Sequence, residues 1–142
     1  MNVETKSIDV IEHYFNINRY EQVIQLVNEE LSKNPEDAYL WYMLAYSNYA
    51  LDEFEEAEEQ LLEALRLGFN AEIVFYLLGR MYLQMERWQE SEEMFLEALR
   101  LNPNDAETHA SYALLMKQTG NKKKAKLLIK KAIELDPENP EV

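Results

Sequence analysis

The stretch EIVFYLLGRMYLQMERWQESEEMFLEALRLNPND, residues 72–105, decides the fold because the rest of the chain repeats its pattern every 34 residues. Small residues recur at one position of this register: Ala57, Ser91 and Ala125. The units are 38–71, 72–105 and 106–139, and one further step back gives 4–37. A fixed period of this length is typical of stacked helix pairs.

Each unit contains two amphipathic helices. In the quoted stretch, Phe75, Leu78, Gly79 and Tyr82 recur at i, i+3, i+4 and i+7, which is one face of a helix. Pro103 follows the second helix and stops its propagation. The sequence therefore predicts no strand and eight helices, at 4–16, 19–33, 38–50, 54–66, 72–84, 88–100, 106–118 and 122–135.

The pattern resembles the tetratricopeptide repeat family. Unit 72–105 carries the family's residues in order: Phe75, Leu78, Gly79, Tyr82, Ser91, Phe95, Ala98 and Pro103. Unit 4–37 departs from it, with Ile11, Val23 and Glu30 in place of the three small residues. The resemblance implies an all-α, right-handed α-solenoid (superhelix) of four stacked helix-turn-helix repeats. It also implies a single domain over 4–139, followed by a tail at 140–142.

In this family the first helix of each repeat lines a concave groove that binds protein segments. The resemblance places Glu12 and Phe15 of the first unit on that groove. From the second and third units it adds Tyr39, Tyr42, Tyr46, Tyr49, Tyr76, Arg80 and Leu83. The tyrosines at 39, 42, 46 and 49 form one helical stripe, which serves either packing or binding. Tyrosine suits an interface because it offers a large, rigid ring with a polar tip.

One subtype of the family clamps the acidic tail of chaperones with lysine, arginine and asparagine side chains. Tyr42, Tyr46 and Leu77 are among the residues at the corresponding positions, and neither possible register supplies the cations. The sequence therefore predicts that this clamp is absent. An apolar and aromatic groove remains, suited to an extended segment or a helix with apolar anchors.

Charge is distributed unevenly along the chain, whose net charge is −13. Residues 106–139 contain seven lysines against four acidic residues, whereas residues 1–105 sum to −15. These charges either form a solvated convex face or serve docking. In the second case the acidic and basic ends of the molecule dock on different partners, or head to tail on a second copy. Duplex nucleic acid needs a broad basic surface, so no nucleic-acid partner is expected. Leu127 and Leu128 lie among these lysines without evident cover. They are tolerated at the surface, covered by a further part of a longer natural protein, or covered by a neighbouring chain, for instance in a weak homodimer.

The sequence contains no recognisable catalytic motif. The two histidines, His13 and His109, lie nearly three repeats apart, and there is no cysteine, calcium loop or phosphate-binding loop. We therefore expect no catalytic residue, metal site or cofactor, and a protein that is not an enzyme. No apolar run is long enough to span a membrane and no signal peptide is evident, which predicts a cytoplasmic location.

Two classes of function remain open from the sequence. The first is a protein-binding adaptor or scaffold that holds a peptide segment or helix in its aromatic groove. The second is a structural or assembly module that self-associates through its terminal repeats. Groove mutations distinguish the two classes, because only an adaptor loses its ligand while its oligomeric state stays the same.

Overall fold

The computed structural model describes the backbone of residues 3–138 and the side chains of residues 7–138. The described chain has no strand and eight helices: α1 (Val3–Asn16), α2 (Tyr20–Lys33), α3 (Ala38–Ala50), α4 (Phe54–Arg66), α5 (Glu72–Gln84), α6 (Trp88–Leu101), α7 (Ala106–Gln118) and α8 (Lys122–Leu135). Every helix end lies within one residue of the predicted end. The all-α class and the four helix-turn-helix units are confirmed.

The turn inside each unit has the same backbone geometry. One residue has a positive φ, at Asn18 (62°), Asp52 (62°), Glu86 (59°) and Gly120 (90°), which are 34 residues apart. The next N–H bonds back to the carbonyl oxygen five residues earlier, as from Arg87 N to Tyr82 O at 2.8 Å. This is the Schellman geometry, which satisfies the last carbonyl groups of the first helix. The sequence period therefore corresponds to a repeated hydrogen-bonded turn.

The described residues fall into two compact units, with the boundary between Asn70 and Ala71. Helices α1–α4 form the amino-terminal unit, and α5–α8 form the carboxy-terminal unit. The boundary lies one residue before the predicted junction of the repeats 38–71 and 72–105. The single domain over 4–139 stays a prediction, and residue 139 and the tail 140–142 lie outside the described residues.

The amino-terminal unit has a core even where its first repeat departs from the small-residue pattern. Ile11 of α1 is 1% exposed and Val23 of α2 is fully buried. Both pack in one cluster with Val27, Leu40, Met43 and Leu44. Two β-branched side chains thus replace the usual small pair, and the first two helices still share an apolar core.

The carboxy-terminal unit shows why a small residue is needed between paired helices. A Cβ placed on Gly79 of α5 would lie 2.6 Å from two ring carbons of Phe95 of α6. Ser91 Oγ also donates a 2.7 Å hydrogen bond to Gly79 O. Ala98 of α6, another small residue of the pattern, is 1% exposed. Close helix packing in this unit therefore depends on Gly79 and on Phe95 filling the space that Gly79 leaves.

Candidate functional site

Four tyrosines on one side of α3 form what we call the tyrosine strip: Tyr39, Tyr42, Tyr46 and Tyr49. All four are half-buried. Their neighbours Leu40, Met43 and Leu44 are buried in the core. This contrast follows from the helical spacing, which turns the strip away from the apolar face of α3. The strip therefore keeps part of its aromatic surface accessible.

Helix α1 brings Phe15 and Glu12, two residues that the sequence assigns to the groove, to the strip. The Phe15 ring centroid lies 5.2 Å from that of Tyr46 and 6.2 Å from that of Tyr42. Within the strip, Tyr42 lies 6.2 Å from both Tyr39 and Tyr46. The rings are at distances where edge-to-face and offset stacking are favourable. The six residues predicted for this part of the groove therefore lie together in the amino-terminal unit.

Three further rings join the strip, and sequence reasoning missed them. Phe69 stacks on Tyr42 with centroids 4.9 Å apart and planes 28° apart. Tyr20 lies 6.0 Å from Tyr46, and Phe54 lies 5.8 Å from Tyr49. We call the resulting set of eight the aromatic cluster: Phe15, Tyr20, Tyr39, Tyr42, Tyr46, Tyr49, Phe54 and Phe69. One signal was present in the sequence, because Phe69 stands where the family pattern has proline.

Two phenol groups of the tyrosine strip, those of Tyr39 and Tyr42, have a raised pKa. Burial, followed by the nearby Tyr46, Tyr39 and Tyr20, raises the pKa of Tyr42 to about 12. Burial also raises the pKa of Tyr39, as do the charge of Glu12 and the hydrogen bond between the two side chains. A raised pKa keeps the hydroxyls of Tyr39 and Tyr42 available as hydrogen-bond donors, and Glu12 is an acceptor beside Tyr39. The surface combines ring faces with polar tips.

A separate concavity in the carboxy-terminal unit contains Tyr76 and Arg80. It has a volume of about 330 Å³, and its lining includes Glu107, Ser111, Leu114 and Lys117. Arg80 Nη1 donates a 3.0 Å hydrogen bond to Ser111 Oγ, which holds the guanidinium against α7. Arg80 Nε is buried without a hydrogen-bond partner among the described residues. We call this concavity the arginine pocket. Its lining has two cations, Arg80 and Lys117, against one carboxylate, that of Glu107, which favours an anionic group of a ligand.

Leu83 does not lie on a groove. It is 3% exposed and packs in the core of the carboxy-terminal unit with Phe95, Tyr112 and Leu115. Its assignment to the peptide-binding surface is wrong, because an apolar side chain at this position is more stable among the core residues than in water.

The two leucines proposed for self-association have different environments. Leu127 is 62% exposed, as expected from the sequence. Leu128 is half-buried and packs against the core cluster that contains Tyr112 and Leu115. The predicted uncovered pair is therefore reduced to Leu127.

The structure places the histidines in roles unrelated to a shared site. His13 is exposed, whereas His109 is half-buried, with Nε2 2.9 Å from Pro103 O. Trp41, at the same repeat position, makes the equivalent 2.8 Å bond from Nε1 to Pro35 O. Within the described residues, no group of three or more potential ligands is arranged to hold a metal ion. Each helix in residues 3–138 is too short or too polar to cross a bilayer.

Comparison with known proteins gives a consistent result. Family models for the tetratricopeptide repeat match residues 12–71, 73–105 and 106–139. A crystal structure of MamA is similar, with a TM-score of 0.84 and 24% identity over 96% of this chain and 79% of that chain. MamA 41-end from Desulfovibrio magneticus RS-1 has a TM-score of 0.84 and 17% identity, over 94% and 76% of the two chains. Curated proteins gave no match.

Proposed function

The chain belongs to the tetratricopeptide repeat family, and on that premise we propose that it is a non-enzymatic adaptor or scaffold. Its ligand is a peptide segment or helix of another protein, and the aromatic cluster of the amino-terminal unit is the principal contact. The cytoplasmic location expected from the sequence is part of the same proposal.

The observation that carries this proposal is the accessible ring area of the tyrosine strip. Rings that served only as core packing would be buried like Leu40 and Met43, whereas all four strip tyrosines are half-buried. Tyrosine is enriched among the residues that dominate binding energy at interfaces, because it offers much area for little lost rotamer freedom.

The polar groups suggest the chemistry of the ligand. Neutral tyrosine hydroxyls around Tyr42 donate to backbone carbonyls, and Glu12 accepts from an N–H group or pairs with a basic side chain. The preferred ligand therefore carries aromatic or aliphatic anchors and a donor or basic residue. The arginine pocket would receive an acidic side chain.

Selection of peptides from a random displayed library on the immobilised protein, followed by fluorescence anisotropy, tests the proposal. We expect Tyr42→Ala/Tyr46→Ala to weaken the selected peptides by more than about tenfold. The matched control is Leu62→Ala, which removes an exposed apolar side chain (46%) from α4, away from the cluster. Circular dichroism shows whether each variant remains helical. A library without any binder, or equal affinities for the double variant and wild type, refutes the adaptor proposal.

Self-association is the second candidate, and the exposure of Leu127 favours it. This leucine is flanked by Lys126, Lys130 and Lys131, and the first three repeats are strongly acidic. Exposed ion pairs contribute about 0–1 kcal/mol each, so the contact would be weak and sensitive to salt. Sedimentation at rising concentration tests it. A wild type that remains monomeric, or a Leu127→Glu variant that dimerises equally well, excludes this candidate.

A further inference from the structure

One side of α8 contains a groove that lies outside the aromatic cluster and adjoins the arginine pocket, with which it shares Lys117, Ala125 and Ile129. Its volume is about 640 Å³. The apolar part of its lining consists of Ala125, Ile129 and Ile133, and Ile133 is 45% exposed. The charged part consists of Lys117, Lys122, Lys126, Lys130 and Glu134. We call this surface the α8 groove.

The repeat register shows what kind of element fits the α8 groove. In α6, the residues equivalent to Ile129 and Ile133 are Phe95 and Leu99. These two pack in the cluster that contains Tyr112 and Leu115 of α7, so this face of α6 receives a helix. Ile129 and Ile133 lie four residues apart on one face of α8, like Phe95 and Leu99 on α6. The α8 groove can therefore receive a helix in the same way.

The lysines of the groove define the charge of the occupant. Lys117, Lys122, Lys126 and Lys130 form no ion pair with any other described residue, whereas Lys124 is engaged by Glu92 and Tyr112. The lining of the groove thus contains four lysines that have no ion pair among the described residues, and one carboxylate, that of Glu134. A ligand with carboxylates on both sides of an apolar stripe would pair with these cations.

We propose that the α8 groove binds an acidic amphipathic helix of a partner protein. From Lys122 to Ile133 the groove extends about 17 Å, which matches about three turns of helix. Alternating glutamates of the occupant pair with the lysines, and its apolar residues cover Ile129 and Ile133. This site is independent of the aromatic cluster, and the failure of either proposal leaves the other intact.

A basic apolar helix also suits an anionic membrane surface, but the shape of this site argues against that partner. Membrane-bound helices bury a protruding apolar face in the headgroup region. Here Ala125 is buried, Ile129 is half-buried and only Ile133 is exposed, and four lysines share the lining of the groove with them. A concave apolar surface accommodates side chains of a helix better than a planar bilayer.

The probe is a labelled synthetic peptide of residues 53–67, EFEEAEEQLLEALRL, which has six glutamates, one arginine and an apolar stripe. In the folded chain the apolar face of this segment is buried at Ala57, Leu61 and Ala64, so a folded second copy does not present it. Fluorescence anisotropy with the intact protein measures its affinity. The control peptide has all six glutamates replaced by lysine.

We expect the acidic peptide to bind wild type and the lysine peptide not to bind. Ile133→Glu should weaken binding by at least about tenfold, because it removes an apolar contact and adds repulsion. Leu96→Glu adds the same charge at an exposed leucine of α6 (50%) outside the groove, and should change affinity by less than about twofold. Lys122→Glu/Lys126→Glu should weaken binding and reduce its salt dependence.

Four results would overturn the proposal. The first is a lack of peptide binding to wild type up to about 1 mM. The second is equal loss in the Ile133→Glu and Leu96→Glu variants. The third is binding of wild type to phosphatidylserine vesicles that Ile133→Glu abolishes while peptide binding persists. The fourth is wild-type self-association that excludes the peptide and is lost in Ile133→Glu, which would make a second copy the occupant.

Discussion

Replacement of Gly79 by alanine should destabilise the carboxy-terminal unit, although alanine is the better helix former. The new Cβ would meet Phe95 Cδ1 and Cε1, each at 2.6 Å. The ring is fully buried and stacks on Tyr112 at 6.1 Å, so it cannot swing into solvent. Overpacking of a core costs about 1–3 kcal/mol, and the gain in helix propensity returns about 1 kcal/mol. We expect a net loss of about 0–2 kcal/mol in the free energy of unfolding, where helix propensity alone predicts a gain of about 1 kcal/mol.

The partner residue provides the control. At the positions equivalent to Gly79 and Phe95, the preceding repeat has Ala45 and Leu61, both of which are buried. Phe95→Leu alone should cost about 1–2 kcal/mol because it removes buried ring area. In Gly79→Ala/Phe95→Leu the new methyl group occupies space that the smaller side chain vacates. The double variant should therefore be more stable than the sum of the single changes predicts, by about 1–3 kcal/mol.

Urea unfolding followed by circular dichroism at the helix band measures all four proteins. The thermodynamic cycle isolates the coupling between the two positions from the intrinsic preference of alanine for a helix. Gly79→Ala more stable than wild type by about 1 kcal/mol, as helix propensity alone predicts, would refute the steric argument. Strict additivity in the cycle would show that the cost of Gly79→Ala arises elsewhere than at Phe95.

Three further predictions concern the tyrosine strip and the turns. Tyr42 has a pKa of about 12 in the folded chain against 10.0 ordinarily, so the unfolded state releases its proton first as pH rises. The stabilisation that Tyr42 provides through this pKa difference is complete below pH 10 and is lost between pH 10 and about 12. The urea midpoint of wild type should therefore fall more steeply over this range than that of Tyr42→Phe, and an identical decline in both proteins would contradict the prediction. Glu86 has a φ of 59°, and Glu86→Gly should stabilise the chain by about 0.5–1 kcal/mol. Gly120 has a φ of 90° with open space around it, so Gly120→Ala should cost about 1 kcal/mol from backbone strain alone. Melting temperatures that move in the opposite directions would show that the turn geometry is wrong.

The helices and turns could be predicted because each depends on local residues. The apolar period fixes the faces, and residues such as Pro103 and Gly120 fix where a helix ends or a turn occurs. Ile11 and Val23 show that one repeat can depart from the pattern and keep its core, provided that two branched side chains fill the same space. Local signals of this kind are readable without knowledge of contacts between distant residues.

The candidate site was predictable only in part, because the burial of a repeat position depends on which side chain occupies it in each repeat. Tyr49, Leu83 and Lys117 occupy the same repeat position, yet they are half-buried, buried and exposed, respectively. A family rule that assigns this position to a groove therefore fails for Leu83, whereas for Tyr49 and Lys117 it stays a prediction. Phe69 was missed for another reason: its contact with Tyr42 depends on the path of a turn, which no periodicity encodes.

Exposure along α8 illustrates the same limit. The repeat position of Leu127 is exposed in every unit, at Gln25, Glu59 and Glu93, and that of Leu128 is half-buried in every unit. Comparison of the repeats would have separated these two leucines. The α8 groove could not be recognised from the sequence, because Ile129 and Ile133 follow the core pattern of the other second helices.

A titration by heteronuclear NMR most directly tests whether the aromatic cluster binds a protein segment. The isotope-labelled protein is titrated with the tightest peptide selected from the displayed library. The account predicts that the largest chemical-shift changes occur at the amides of residues 12–15 and 39–49, and that they saturate with the dissociation constant measured by anisotropy. Changes confined to α6 or α8, with residues 39–49 unaffected at saturation, would contradict it.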